Sequence, residues 1–208
     1  MKRIFSCVGL TAILALSIPA SSQVVQNPPR EASHLNHGDF SVYGDMFRVS
    51  PKNYPTLNFL GLGGRVGFNV HPNVALEGEM NYDFEQNYTT VQGTGASSTT
   101  ITSGVRPLTG LFGPKFQFGT SGPFRAFLTG KAGFVEWSTS GKSPSGSTFT
   151  GAFGQFGSNS TNFAAYPGGG IEAYLGPLGL RVEAGDEIYL DNGAHNNLRV
   201  TFGPSFRF

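Results

Sequence analysis

The last eleven residues constrain the fold most, because their side chains alternate strictly in character. One face carries Leu198, Val200, Phe202, Pro204, Phe206 and Phe208, and the opposite face carries Arg199, Thr201, Gly203, Ser205 and Arg207. A period of two residues is that of a β-strand. This segment therefore predicts a strand whose apolar face must be covered by something equally apolar.

The composition favours a sheet protein with a single domain. The chain has 208 residues and a net charge of +1, only 13% of its residues are charged, and it contains 30 Gly and 19 Phe. Glycine in a helix interior costs about 1 kcal/mol relative to alanine, so this composition disfavours helices. The balanced charge gives no basis for binding nucleic acid, and we expect no nucleic-acid partner.

The amino terminus differs from the rest of the chain. Lys2 and Arg3 precede an apolar run from Ile4 to Ile18, and small residues follow it. This order is typical of a secretory signal peptide, which we assign to residues 1–22. The single cysteine, Cys7, lies inside it, so the exported chain is expected to contain no disulfide. The polar residues 23–38 are expected to form a flexible lead-in.

From residue 39 onward, alternating segments recur between turn signals. We predict strands at Asp39 to Val49, Leu57 to Val70, Val74 to Phe84, Leu108 to Gly119, Pro123 to Trp137, Thr161 to Leu175, Leu180 to Leu190 and Leu198 to Phe208. Each has about ten residues or more, enough for a tilted strand to cross a bilayer. Short turns at His71, Thr120 and Gly176 alternate with longer loops, notably Glu85 to Arg106 and Ser138 to Ser160. Residues 39–208 therefore predict an all-β fold, an eight-stranded antiparallel up-and-down transmembrane β-barrel.

The faces opposite the apolar stripes carry charges of both signs. We predict that these charges line the barrel interior and pair there as a structural network, formed by Arg65, Glu77, Glu79, Asp83, Lys115, Lys131, Glu172, Arg181, Glu183, Glu187, Arg199 and Arg207. An interior of eight strands is just wide enough to be filled by side chains. Pairing is expected because an unpaired buried charge costs several kcal/mol. A lumen filled in this way predicts at most a narrow pore.

The alternation does not by itself distinguish the inside from the outside. A soluble lipocalin-like binding barrel in the periplasm would have the reverse phase, with its apolar residues inside and its charges in water. The signal peptide, the terminal Phe208 and the length of the strands favour the membrane barrel.

Several residues conflict with regular, lipid-facing strands. Pro114, Pro167 and Pro204 each remove a ladder hydrogen bond, and we expect local bulges around them. Asp186 falls on the lipid face, and a bulge at Gly185 would change its phase. The rings of Trp137 and Tyr82 are expected in an interfacial aromatic girdle.

An alternating last strand that ends on phenylalanine resembles the carboxy-terminal signature of bacterial outer-membrane barrels. Residues 39–208 resemble the small eight-stranded barrels of the OmpA/OmpX type. The resemblance implies an integral protein of the cell outer membrane, in contact with outer-membrane lipids, the assembly machinery and periplasmic chaperones. It also implies that Phe206 and Phe208 act as the assembly signal. Because the chain ends with the last strand, we expect the barrel alone, without a peptidoglycan-binding domain.

The resemblance implies roles from envelope integrity and adhesion to limited solute passage. We expect a protein that is not an enzyme, whose long loops carry any recognition; their partner stays open. The alternative is a lipid-modifying enzyme, for which His195 is the candidate base and Asp191 lies close to it, but no nucleophile accompanies them. We expect no cofactor and no metal site, since His34 and His37 fall short of about four ligands.

Overall fold

A computed structural model describes residues 37–50, 56–92, 99–119, 122–141, 160–191 and 193–208. They form nine β-strands, namely β1 (Gly38–Val49), β2 (Leu57–His71), β3 (Val74–Asp83), β4 (Gln86–Gln92), β5 (Thr99–Phe118), β6 (Phe124–Gly141), β7 (Ser160–Leu175), β8 (Leu178–Leu190) and β9 (Ala194–Arg207). The predicted signal peptide and nearly all of the predicted lead-in lie outside the described residues.

The sheet closes into an antiparallel barrel with eight strand positions around its wall, which we call staves. Strand β1 pairs with both β2 and β9, and β3 pairs with both β2 and β5. Strands β3 and β4 follow one another along the same side of β5, because Tyr82 pairs with Leu108 and Gln86 pairs with Val105. They are therefore two segments of one stave. Every described strand except β4, which pairs with β5 alone, is paired on both sides, and the predicted fold class is confirmed.

Among the described residues, no helix is long and apolar enough to cross a membrane.

The two ends of the barrel differ in their connections. Residues 72–73 and 176–177 make short turns at one end, which we call the turn end, and β5 ends and β6 begins there as well. Both termini of the barrel meet there, since the carbonyl oxygen of Phe208 accepts hydrogen bonds from the amides of His37 (2.9 Å) and Gly38 (3.0 Å). The other strand ends, from Val49 and Leu57 to Leu190 and Ala194, lie at the opposite end, which we call the loop end.

The loop predicted from Glu85 to Arg106 is wrong for most of its length. Strand β4 and the first part of β5 form a hairpin there, with Gln92 opposite Thr99. Strand β6 likewise continues past Trp137 to Gly141, which pairs with Ser103. The Gly and Ser content suggested a loop, but the β-branched Thr, Val and Ile residues of these segments favour extended strands.

The bulges predicted at the three strand prolines are absent. Near each proline two successive pairs drop out of one neighbouring ladder, and pairing then resumes in the same register. In the β5–β6 ladder the gap beside Pro114 lies between Phe112–Ala132 and Lys115–Thr129. Each proline interrupts the ladder with only one of its two neighbouring strands, because its missing N–H would have bonded to one strand only.

Asp186 also lies in a regular strand. The pairs Gly168–Gly185 and Ala165–Ile188 share one register, so the bulge predicted at Gly185 is absent. The Asp186 carboxylate is half-buried and accepts hydrogen bonds from Asn196 Nδ2 (2.5 Å) and the Asn197 amide (2.8 Å). Its charge is thus stabilised by neighbours on β9 rather than by a change of face.

The polarity of the barrel is the inverse of that of a soluble protein. Phe116 and Phe202 on the outward face are 47% and 57% exposed, whereas Lys131 and Arg199 are 3% and 0% exposed. Within the described strands, the outward faces carry four charged residues, all in the loop-side halves of their strands: Arg48, Arg106, Glu136 and Asp186. The soluble lipocalin-like alternative, which requires apolar side chains inside, is therefore wrong.

The seam between β1 and β9 depends on close backbone approach at Gly203. A Cβ atom there would collide with the carbonyl oxygen of Val42 and lie 2.5 Å from the Cα of Tyr43. At Gly44, on the same seam, a Cβ would meet only the Phe202 carbonyl oxygen at 3.9 Å.

We therefore expect Gly203→Ala to lower the free energy of unfolding by about 1–3 kcal/mol through overpacking, and Gly44→Ala to change it by less than about 0.5 kcal/mol. Urea titration of both variants in lipid vesicles measures the difference. Equal midpoints for the two variants would contradict this account of the seam.

Candidate functional site

The interior of the barrel is filled by charged side chains, among them Arg181 on β8, which contacts three carboxylates. Its guanidinium binds Glu77 in a bidentate manner, with Nη1–Oε1 at 2.6 Å and Nη2–Oε2 at 2.9 Å. It also contacts Glu172 at 3.0 Å and Glu183 at 2.5 Å. The planar guanidinium suits this geometry because its donors match the two oxygens of a carboxylate.

Two lysines extend this network around the wall. The ammonium of Lys115 lies 2.8 Å from Glu77, 2.9 Å from Glu172 and 3.4 Å from Asp39. The ammonium of Lys131 lies 2.7 Å from Glu79. A lysine suits such positions because its three N–H donors can point at different strands.

Arg65 on β2 completes the network from the other side. It contacts Glu79 at 2.5 Å and Glu183 at 3.1 Å, and Lys131 reaches the same Glu183 at 3.2 Å. We call the whole group the central cluster; it contains four cations and five carboxylates, namely Arg65, Lys115, Lys131 and Arg181 with Asp39, Glu77, Glu79, Glu172 and Glu183.

A second group of charges, the Arg199 cluster, lies nearer the loop end. Arg199 contacts Asp45 at 2.9 Å, Asp83 at 3.4 Å and Glu187 at 2.8 Å. The Thr109 hydroxyl donates to Glu187 at 3.1 Å and accepts a hydrogen bond from Arg199 at 3.2 Å. All three acids are buried, so a single cation holds three carboxyl groups in place.

An aromatic layer closes the interior above the Arg199 cluster. The ring centroids of Phe47 and Phe59 lie 6.2 Å and 6.1 Å from that of Trp137, and Tyr189 lies 5.6 Å from it. The Arg199 guanidinium carbon sits 4.4 Å from the centroid of Phe47, which joins the two layers. We call these four rings the aromatic cap.

The cap corrects the girdle prediction for Trp137. This residue is 0% exposed and faces the interior, because it lies in phase with Lys131 on β6. Tyr82, the other predicted girdle residue, faces outward and is 44% exposed.

At the turn end, two arginines contact the ring of Tyr174. Arg207, predicted to lie in the charge network, is half-buried, and its guanidinium carbon lies 3.3 Å from the centroid of the Tyr174 ring. Arg125 approaches the same ring at 5.7 Å and donates to Gln117 at 3.1 Å. Arg207 is thus placed at the mouth of the barrel, apart from the central cluster.

The other eleven residues of the predicted network are all buried, and the structure divides them between the two clusters. Sequence reasoning omitted two of their partners, Asp39 and Asp45. The alternation along β1 could have identified both acids, because they share the phase of Ser41 and Tyr43 and therefore face inward. Phe47 follows in the same phase, so the alternation also contained part of the aromatic cap.

Among the described residues, no nucleophile and carboxylate are arranged around His195 as a catalytic triad. Its Nε2 lies 2.9 Å from the backbone carbonyl oxygen of Asp191, and its ring stacks on Tyr189 with centroids 5.0 Å apart. His195, Tyr189 and Ser50 line a cavity of about 390 Å³ at the loop end. Within the described residues, no group of three or more His, Cys, Asp or Glu side chains is arranged to hold a metal ion.

No protein-family model matches the chain, and no curated protein matches it in sequence. The chain is similar in structure to Ail, the attachment invasion locus protein of Yersinia pestis. The structure of Ail in complex with the heparin analogue sucrose octasulfate has a TM-score of 0.56 at 16% identity, covering 83% of this chain and 99% of Ail. Another structure of Ail has a TM-score of 0.54 at 14% identity, with the same coverage.

Neisserial surface protein A is a further structural neighbour, with a TM-score of 0.49, 10% identity, and coverage of 83% of this chain and 97% of that one. The TM-scores of the two Ail structures, both above 0.5, show a shared fold. The chain therefore has the fold of the small eight-stranded outer-membrane β-barrels, as the resemblance in its sequence predicted.

Arg181 provides the most direct test of the central cluster. Replacing it by Met leaves Glu77, Glu172 and Glu183 with fewer cations in a desolvated interior, so we expect a loss of about 3–5 kcal/mol in the free energy of unfolding. Trp137 is the only tryptophan and is buried, so its fluorescence reports unfolding.

The matched control is Arg48→Met, which removes an exposed outward arginine and is expected to change stability by less than about 0.5 kcal/mol. If Arg181→Met does not fold, the double variant Glu77→Gln/Arg181→Met is expected to restore part of the folded fraction. Equal stabilities for Arg181→Met and Arg48→Met would refute a structural role for the cluster.

Proposed function

We propose that the protein is an integral barrel of the cell outer membrane whose ion-paired body holds recognition segments at the cell surface. The observation that supports this most is the inverted polarity, because an apolar surface far larger than a few hundred Å² is not left in contact with water. A bilayer covers such a surface. Inside a bilayer only a helix or a closed sheet can satisfy all of its own backbone hydrogen bonds.

The proposed orientation follows from the two ends of the barrel. Outer-membrane barrels have short turns on the periplasmic side and longer loops outside. The turn end is therefore assigned to the periplasm, and the loop end to the cell surface. This assignment also requires export, which we attribute to the signal peptide proposed for residues 1–22, followed by passage through periplasmic chaperones.

The interior supports a closed barrel with at most a narrow pore. A solute crossing it would have to pass the aromatic cap and separate the ion pairs of both clusters. Each contact within these clusters is made between buried groups, where breaking a pair leaves an uncompensated charge. A role as a wide channel is therefore disfavoured.

A recognition role is supported by the hairpin of β4 and β5 at the loop end. Within the described sheet β4 pairs with β5 alone, so its other edge presents unpaired backbone groups. Such an edge can accept a strand from a partner, with main-chain hydrogen bonds providing affinity. Ail, which shares this fold, has been solved with a heparin analogue, and this supports a recognition role for such a barrel.

Catalysis is the weaker candidate. A hydrolase needs a nucleophile, a base and a group that orients the base. The Nε2 atom of His195 faces a backbone carbonyl oxygen instead of a carboxylate, and its ring is packed on Tyr189. We therefore propose a non-catalytic protein.

Cell fractionation tests the proposed location. We expect the protein in the outer-membrane fraction, and we expect boiling before electrophoresis to change its mobility, because a closed barrel stays folded in detergent until it is heated. A soluble periplasmic pool whose mobility does not depend on heating would contradict the proposal.

Conductance tests the closed interior. In planar bilayers the parent chain is expected to show no large, stable current steps. The double variant Phe47→Ala/Trp137→Ala opens the aromatic cap but leaves both charge clusters in place. It is therefore also expected to show no large, stable current steps. Large stable steps from the parent chain would contradict a filled lumen.

We also propose that Phe206 and Phe208 are the signal that the assembly machinery reads. Both side chains point outward, where Phe206 stacks on Phe40 at 4.9 Å and Phe208 meets Phe68 edge-on at 6.3 Å. Their exposure makes them accessible to another protein before the barrel enters the membrane.

Phe208→Ala is expected to reduce the heat-modifiable band in the outer membrane several-fold. Phe202→Ala removes an equally outward ring from the same strand and serves as the control, with little expected change. Equal losses for the two variants would indicate a general requirement for apolar side chains and would exclude a specific signal.

A further inference from the structure

The outward wall contains a shallow apolar groove that crosses four neighbouring staves. Its floor is made of small residues on β2, β3, β5 and β6, namely Gly64, Gly78, Gly110 and Ala132. A Cβ atom at Gly64 would meet no heavy atom within 4 Å, and one at Gly78 would meet only the Phe112 ring at 3.7 Å. The groove has a volume of about 500 Å³ and Met80 and Phe134 border it.

An arginine stands on the loop side of this groove. Arg106 lies on β5, four residues before Gly110, which corresponds to roughly 13 Å along a strand. Tyr82 lies on β3, four residues beyond Gly78, so the same two strands carry both features. The sequence places Arg106 and Gly110 on one face, because they differ by an even number of residues.

The guanidinium of Arg106 is held in place by Tyr82. Its Nη1 donates a hydrogen bond of 2.6 Å to the tyrosine hydroxyl, and its Cζ lies 4.9 Å from the ring centroid. These contacts use one of the five N–H donors of an arginine side chain. An arginine oriented in this way is suited to bidentate binding of a phosphate.

The combination of charge and groove defines the chemistry of the occupant. On the strands that line the groove, the outward charges are Arg106 on β5 and Glu136 on β6, which pairs with Leu108; Arg106 is the cation of the two, and the other outward arginine, Arg48, lies on β1. The occupant must therefore be an amphiphile with an anionic head and an acyl chain. A lipid of the leaflet that surrounds the loop end has both parts at the required spacing.

We propose that Arg106 and the groove together bind one phosphate-bearing lipid of the outer leaflet. Its phosphate contacts the Arg106 guanidinium, and one acyl chain passes beside the Phe134 ring, which covers Gly110, and lies across Gly78 and Gly64. This inference rests on the proposed location of the barrel in the outer membrane. It goes beyond general solvation by lipid, because it assigns one lipid molecule to one place on the wall.

The test is native mass spectrometry of the full-length folded protein, released from micelles that contain diphosphorylated lipid A. Arg106→Gln is expected to weaken binding roughly tenfold, since hydrogen bonds to charged groups are involved. Gly64→Leu fills the groove without contacting the headgroup site and is expected to weaken binding similarly. Removing the phosphates of lipid A should weaken its binding to the parent protein by at least as much as Arg106→Gln weakens the binding of intact lipid A.

Each variant has a matched control that faces outward elsewhere. Arg48→Gln removes the arginine on β1, and Ala184→Leu places a leucine on the outward face of β8, two staves from the groove; both should change binding less than twofold. Equal losses for Arg106→Gln and Arg48→Gln, or for Gly64→Leu and Ala184→Leu, would overturn the proposal. So would complete displacement of lipid A by millimolar inorganic phosphate, because the acyl chain would then contribute nothing.

The heat-modifiable band separates this inference from the proposed function. If Gly64→Leu lacks the band, Gly78→Val replaces it as the variant that fills the groove. A heat-modifiable outer-membrane protein that binds lipid A without regard to Arg106 would refute this site and leave the proposed function intact. A soluble protein would refute both.

Discussion

The pairing of charges inside the barrel is the interaction on which the rest of the structure depends. A narrow closed sheet must fill its interior, and here the filling is ionic. Each carboxylate of the central cluster except Asp39 contacts at least two cations; Glu77, for example, lies within 3.3 Å of Arg181, Lys115 and Lys131. Contacts of this kind offset the desolvation of the cluster, and with the Lys115–Asp39 pair they join seven of the eight staves. The wall can then present an almost uncharged surface to lipid.

Much of this arrangement could be predicted from the alternation alone. The period of two assigns Glu79, Lys131 and Arg199 to one face and Phe116 and Phe202 to the other, and strand length together with the terminal phenylalanine indicates which face is outside. The pairings across the interior could not be predicted. Arg181 and Glu77 are 104 residues apart, and their contact depends on the stagger of strands that are not neighbours.

The errors in the prediction have physical causes. The aromatic character of Trp137 suggests an interfacial girdle, but its phase with Lys131 places it inside. The small residues from Glu85 to Arg106 suggest a loop, but the β-branched residues among them favour a hairpin. The strand prolines interrupt single ladders without shifting the register. Together, the aromatic cap and the two charge clusters fill the described part of the interior.

The measurement that tests the central claim most directly is fluorescence quenching by lipids brominated in their acyl chains. The account predicts that Trp137, the sole tryptophan, is not quenched in such vesicles, because the wall separates it from the lipid. It predicts strong quenching for Phe116→Trp in a Trp137→Phe background, because that position contacts acyl chains. Strong quenching of Trp137 with none at position 116 would contradict the assignment of the two faces.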